Sequence, residues 1–140
     1  MEFIGRLSGS VFSVYGPYQD MVPAWFESGL APTIVAVEKG APVGFAMMGR
    51  FLEGPDQETR CELLAIAVEP RLHRRGIGEM LLRKIEKEAK RLGETRLSLH
   101  TAMDNVPAQK LFKKNHFVPL SLKKRFYPSG QDAVMMIKVI

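Results

Sequence analysis

The chain has 140 residues, of which 46% are apolar and 25% charged, and its 20 Lys and Arg outweigh 15 Asp and Glu to give a net charge of +5. A chain of this length buries one core without covalent staples, so a single domain is expected. It holds no apolar run of roughly eighteen residues, no basic segment followed by an apolar one at its start, and a single cysteine, Cys61; an internal disulfide is ruled out, the chain is expected to be soluble and unexported, and the cytoplasm is the expected compartment.

In chain order, Phe12, Val14, Tyr15, Tyr18, Met21, Val22, Trp25 and Phe26 predict one or two short helices broken at Gly16-Pro17. The β-branched run Thr33 to Glu38, the turn Lys39-Gly-Ala-Pro42 and the apolar run Val43 to Met48 predict a hairpin. Glu53 to Thr59 is polar and turn-rich, a predicted loop. Glu62-Leu-Leu-Ala-Ile-Ala-Val68 then reads as a strand buried on both faces.

From Ile77 the period changes. Leu81, Leu82, Ile85, Ala89 and Leu92 follow at helical spacing, with Glu79 in the first turn and Gly93 where a C-terminal glycine stops a helix. Arg96 to His100 alternates as a strand. Asp104-Asn-Val-Pro107 opens a second helix carrying Ala108, Leu111 and Phe112, and Phe117 to Leu122 and Asp132 to Val139 read as final strands. Strand, helix, strand, helix, strand in succession predicts an α/β fold with a mixed sheet.

The segment "HRRGIGEML" lies between the buried strand and the first long helix. Glycines at 76 and 78 let a ligand approach the main chain, and the first N–H groups of a helix lack internal acceptors and sit at the positive end of its dipole. That arrangement binds phosphate or pyrophosphate. No Gly-Lys-Ser/Thr follows the glycines and no G-x-G-x-x-G is present, which counts against nucleotide hydrolysis and hydride transfer. The basic blocks 71–91 and 110–125 suit an anionic ligand or a solvated face; they lack the interleaved aromatic residues of a single-strand groove, so no nucleic acid is expected.

"LLAIAVEPRLHRRGIGEMLL" and "DNVPAQKLFKKNHF", at their spacing, resemble the acetyl-CoA-dependent N-acetyltransferases of the GCN5-related superfamily. The resemblance implies a single GNAT-like domain over 1–140, a mixed sheet flanked by helices, with 1–31 as a helical acceptor-side region and 33–140 as the acetyl-CoA-binding core. It implies that Ile66, Ala67 and Val68, the segment His73, Arg74, Arg75, Gly76, Ile77, Gly78 and Glu79, and then Asn105, Ala108 and Phe112 hold acetyl-CoA, with no metal. The family's first strand has no counterpart before Phe12 to Phe26, so it reads as missing or shortened; a start downstream of the natural one, or a homodimer partner's strand completing the sheet edge, would each account for this. His73 stands for the usual Gln or Arg, and His116 for a frequent Gly.

Acetyl transfer needs a neutral amine and a route for its proton. His100 ends the strand "RLSLH", where some members carry a general base, and imidazole titrates near neutrality. Phe112 replaces the tyrosine that usually donates to the leaving thiolate, which leaves Tyr127, water or no acid at all for that task. Cys61 lacks a neighbouring base in sequence and is a poor candidate for an acyl carrier. The tail "KRFYPSGQDAVMM" resembles a Y-Y-x-x-G-E-D-A segment of ribosomal-protein and archaeal N-terminal acetyltransferases, which implies a protein or peptide α-amine as acceptor, bordered by Tyr127; Tyr15 and Tyr18 are candidates for the opposite wall. A small amine or a lysine, and a CoA-binding module without catalysis, remain alternatives.

Overall fold

Two helices open the chain on either side of Gly16-Pro17, α1 over Glu2–Phe12 and α2 over Tyr18–Glu27, joined by a 3-10 turn at Ser13–Tyr15; the break and α2 fall where the periodicity predicts, whereas α1 lies upstream of the residues read as helical. The computed structural model describes residues 2–53, 55, 58–73 and 75–140. Phe3, Ile4 and Leu7 of α1 and Val22 of α2 are buried, at the spacing that makes one apolar face of each helix. Each such side chain contributes roughly 1.5–3 kcal/mol by leaving water.

Six strands follow in one sheet: β1 Thr33–Glu38, β2 Ala41–Glu53, β3 Glu58–Val68, β4 Arg96–Ala102, β5 Val118–Lys123 and β6 Ala133–Val139, in the spatial order β1-β2-β3-β4-β6-β5. β2 and β3 run further into the predicted polar loop than expected. Their antiparallel pairing carries on through Phe51↔Arg60 and Leu52↔Thr59, so ladder hydrogen bonds override the weak strand propensity of the residues there. Gly54, Asp56 and Gln57 of that loop lie outside the described residues.

Helices α3 (Ile77–Arg91) and α4 (Val106–Lys114) carry the rest of the helical pattern. Leu81, Leu82, Ile85 and Ala89 of α3 and Phe112 of α4 pack with Ala46, Met48, Cys61, Leu63, Leu97 and Leu99 in one core. The opposite face of the sheet, with Phe45, Met47, Ala65 and Ala67, packs under α1 and α2. The fold class and the bounds of α3 and α4 thus follow the sequence reading.

The end of α4 explains the departure at His116. Phe117 N–H donates to Phe112 O at 3.0 Å and His116 N–H to Lys113 O at 3.1 Å, the double bond pattern of a Schellman stop, closed by an edge-on contact of the two phenylalanine rings. That stop requires a left-handed residue, and His116 takes it with φ 74. Among the described residues, 2–32 hold helices and turns and no strand.

Two irregularities shape what lies at the centre. β3 pairs with β4 in parallel only at Glu62↔Ser98 and Leu63↔Leu99, after which the strands part. Opposite Met47 and Met48 the register of β3 skips Leu64, a bulge. Alternation counted back from Val68 and Ile66, which face α3, would put Glu62 on that same face; the extra residue turns it to the side of α1 and α2.

Candidate active site

Where β3 and β4 separate, one cavity of about 960 Å³ passes between them and reaches both faces of the sheet. On one side it meets His73, Gly76, Ile77, Gly78, Glu79 and the start of α4; on the other it meets Tyr15, Tyr18, Met21, Trp25 and Tyr127. Leu64 to Val68 and His100 to Ala102 form its two central edges.

The α3 end is built from main chain. Gly76 precedes the helix in a left-handed conformation with φ 78, and no side chain caps the first turn. Among the described residues a Cβ at Gly76 would meet no atom within 4 Å, and the left-handed backbone angle is what favours glycine here. A Cβ at Gly78 would lie 3.6 Å from Leu111 Cδ2, an ordinary contact. The N–H groups of Ile77, Gly78 and Glu79 belong to the first helical turn and have no acceptor within the helix.

β3 presents further main chain to the gap. Glu69 N–H donates to Val43 O at 2.8 Å, so by alternation Ala67 turns its peptide groups toward β2 while Ile66 and Val68 turn theirs toward the gap. Val68 O accepts from His73 Nε2 at 2.9 Å. His73 therefore ties the strand end to the turn that follows, a role that Gln or Arg can also fill. Asn105 caps α4, its Oδ1 accepting from Ala108 N–H at 3.2 Å. Phe112 is buried at 4% exposure and shows the cavity only carbon.

The charge at this end differs from the sequence reading. Arg75 is not part of the cavity wall; its guanidinium reaches Glu38 on β1 at 3.5 Å. Arg74 lies outside the described residues. Lys110 and Lys114 of α4 line the cavity instead. Glu79 accepts from Lys114 at 3.2 Å and from Arg83 at 2.9 Å, and its carboxyl is held below the usual range, chiefly by the Lys114 hydrogen bond.

The other half is built from side chains. His100 Nδ1–H donates to Glu62 Oε1 at 2.5 Å, and the two side chains are 11% and 12% exposed. Phe126 stacks on the imidazole at 4.3 Å with 11° between planes, which fixes its tilt. With Nδ1 given to the carboxylate, Nε2 is the nitrogen left to accept a proton. Arg60 Nη2 stands 3.8 Å from the second oxygen of Glu62. The pairing of Glu62 with His100 was not foreseen; its signal was a carboxylate inside a strand read as buried on both faces.

Tyr127 packs against Tyr15 at 4.9 Å and Tyr18 at 6.3 Å. Burial, followed by the charges around it, pushes the Tyr127 phenol well above its ordinary value, and Tyr18 and Tyr15 move the same way for the same first reason. All three stay protonated near neutrality. Gly130 N–H donates to Tyr127 O at 2.8 Å, closing the turn that Pro128 and Gly130 predict. This loop is fastened to the α1–α2 connection: Ser129 N–H donates to Tyr15 O at 3.1 Å, Gln131 Nε2 to Val14 O at 2.8 Å, and a Cβ on Gly16 would come within 2.8 Å of Pro128. Cys61 faces the core instead, 2% exposed and with its thiol pushed up to about 11 by burial, which keeps it out of thiolate chemistry.

Residues 7–117 match the acetyltransferase (GNAT) family. The chain belongs to that family. A Bacillus subtilis protein named as a putative ribosomal protein bS18 alanine N-acetyltransferase is 34% identical over 76 residues, 54% of this chain and 50% of that one. The chain thus spans about half the length of that relative and 52% of a Salmonella typhimurium protein of the same type. A Saccharolobus solfataricus N-alpha-acetyltransferase is 28% identical over 87% of this chain and 77% of its own. The GNAT fold is shared with Ard1 from Thermoplasma volcanium, at a TM-score of 0.82 and 21% identity over 99% of this chain and 90% of that chain. No helix among the described residues is long and apolar enough to cross a membrane.

Proposed function

We propose that this GNAT chain is an N-acetyltransferase that moves the acetyl group of acetyl-CoA to a protein or peptide N-terminal α-amine by direct attack in a ternary complex. The observation that carries the reading is the placement of the His100–Glu62 pair at the waist of a cavity whose far end is the open first turn of α3. The donor end fits an anionic, amide-bearing molecule. Its cradle is uncapped main chain at Gly76, Ile77, Gly78 and Glu79, with the strand groups of Ile66 and the N–H of Val68, which β4 does not pair, and lysines beside them. Those residues would hold the donor, with Ala108 and Phe112 as apolar wall and Asn105 fixing the start of α4. Acetyl-CoA, when bound, supplies an activated thioester carbonyl.

The chain's own part concerns the amine and its proton. An α-amino group with a pKa of ~7.7–8.0 is roughly one-tenth neutral at pH 7, whereas a lysine near ~10.4 is neutral far less often. His100 Nε2 takes the proton, and Glu62 holds the ring in the tautomer that allows it and stabilises the imidazolium. Tyr127 serves as a positioning wall and hydrogen-bond donor. Burial raises the Tyr127 phenol above its ordinary value, so it holds its proton at neutral pH and can give a hydrogen bond to the reacting group, although as an acid it is weaker than an ordinary tyrosine. With Phe112 unable to donate, Tyr127, water or the thiolate's own low basicity serves the departure.

The names of the relatives, which specify a ribosomal protein alanine and N-alpha amines, support the same acceptor class. The test is CoA release, read with a thiol reagent, on peptides with free N-termini, blocked peptides containing lysine, and polyamines. Release confined to free N-termini, with the added mass located there, is the expected result. Release with lysine peptides or polyamines in preference would assign a different amine, and acetyl-CoA binding without release on any acceptor would make the chain a binding module.

A further inference from the structure

We propose that the acceptor half of the cavity selects a large, uncharged, apolar first residue, methionine or leucine, over alanine or serine. This rests on the N-terminal amine reading above and names the substrate within it.

The amine must reach His100, so the first side chain of the acceptor has to lie beside that residue on the α1–α2 face of the sheet. The floor there is small: Ala65 and Ala67 are the residues of β3 that turn to this face beyond the bulge. The walls are large. Phe12 ends α1, and Tyr18, Met21 and Trp25 sit at i, i+3 and i+7 on one face of α2, all lining the cavity. Phe12 and Trp25 also pack into the core beneath α1 and α2, whereas Met21 lines the cavity without joining that core. Small floor and large walls leave an apolar recess, and the unbranched thioether of Met21 can shape itself to what enters.

Charge narrows the choice further. Around this half, Glu62 is given to His100 and Arg60, and Asp104 accepts the Tyr15 hydroxyl at 3.4 Å. Glu79, Lys110 and Lys114 stand at the opposite end of the cavity, on α3 and α4. Among the described residues lining this half, a first residue bearing a second ammonium would find only a carboxylate already paired, and an acidic one would be buried beside Glu62, whose charge Arg60 and His100 already share. An alanine methyl would leave the recess unfilled and its apolar walls without contact.

The experiment compares kcat/KM of the full chain, with acetyl-CoA, on peptides identical after residue 1 and beginning with Met, Leu, Ala, Ser, Lys or Asp. Met and Leu are expected to exceed Ala and Ser by about 10- to 100-fold, the range that a few methylenes command in an apolar pocket. Met21→Trp, which fills the recess, should compress the Met-to-Ala ratio to within about threefold, and Met21→Ala should extend turnover to peptides beginning with Phe. Equal or better turnover of Ala or Ser by the unmodified chain overturns the proposal and leaves N-terminal acetylation standing. Turnover of hexanoyl-CoA as fast as acetyl-CoA with a flat first-residue ranking also overturns it, because the recess would then hold the acyl chain. Turnover of lysine peptides or polyamines with none at any N-terminus removes both readings. Should Met21→Trp fail to fold, the ranking by the unmodified chain decides alone.

Discussion

The two halves of the cavity are made of different material. Toward α3 and the tip of β3 the binding surface is peptide groups, presented by one left-handed glycine, an uncapped helix end and a strand that has lost its neighbour. Toward α1 and α2 it is side chains drawn from five separate elements: Glu62 on β3, His100 on β4, Tyr15 and Tyr18 around the first helices, and Phe126 with Tyr127 on the last loop. A surface of peptide groups depends on backbone angles and tolerates many side chains. A surface of side chains depends on identities, and can be altered one residue at a time.

The sharpest test of that division falls on the side-chain half. His100→Ala should lower kcat by about a hundredfold or more while acetyl-CoA affinity stays within about twofold, and Glu62→Gln, which keeps an oxygen for Nδ1–H, should cost less. Equal loss of affinity and rate would mean that the two halves are not independent. On the main-chain half, Gly76→Val puts a β-branched residue at φ 78 and should weaken acetyl-CoA binding by about tenfold or more with circular dichroism unchanged; normal binding by a folded variant would show that the turn does not hold the donor.

Tyr127→Phe should reduce kcat/KM by roughly threefold to tenfold, the scale of one hydrogen bond to a substrate. Its effect on the pH profile is the informative part. The folded pKa lies above the ordinary phenol value, so the proton stays on through the alkaline limb, and that limb should keep its position in the variant. A limb that moves would make Tyr127 a titrating catalyst.

Substitutions that respect the backbone should matter least. His73→Gln retains a donor for Val68 O and should change donor affinity by less than about threefold. His116→Gly relieves a left-handed side chain at the stop of α4 and should stabilise the fold by about 1 kcal/mol, seen as a rise in Tm of roughly 2–4 °C.

The same division explains what could be read from the residues in advance. The left-handed turn at Gly76 and the cap of α4 by Asn105 on Ala108 N–H are local geometry, made within a few positions, so short motifs show them. The apolar face of α2 and the β-branched strands were visible for the same reason, whereas α1, with Phe3, Ile4 and Leu7 inward, lies ahead of the residues read as helical. The His100–Glu62 pair depends on a bulge at Leu64 that reverses the facing of everything before it, and simple alternation assigns Glu62 to the wrong side of the sheet. The tyrosine cluster joins positions more than a hundred residues apart, and the Arg75 guanidinium reaches a carboxylate on β1 that no motif mentions.

The parting of β3 from β4 also bears on how occupancy of the site can be watched without any turnover. The amide hydrogens of Ile66 and Val68 point into the gap, while those of Ala65 and Ala67 are sealed in the ladder with β2. In deuterated solvent the first pair should exchange well ahead of the second, and a donor lying along the strand should slow them selectively. The central strand thus carries its own pair of reporters, placed where the sheet is unfinished.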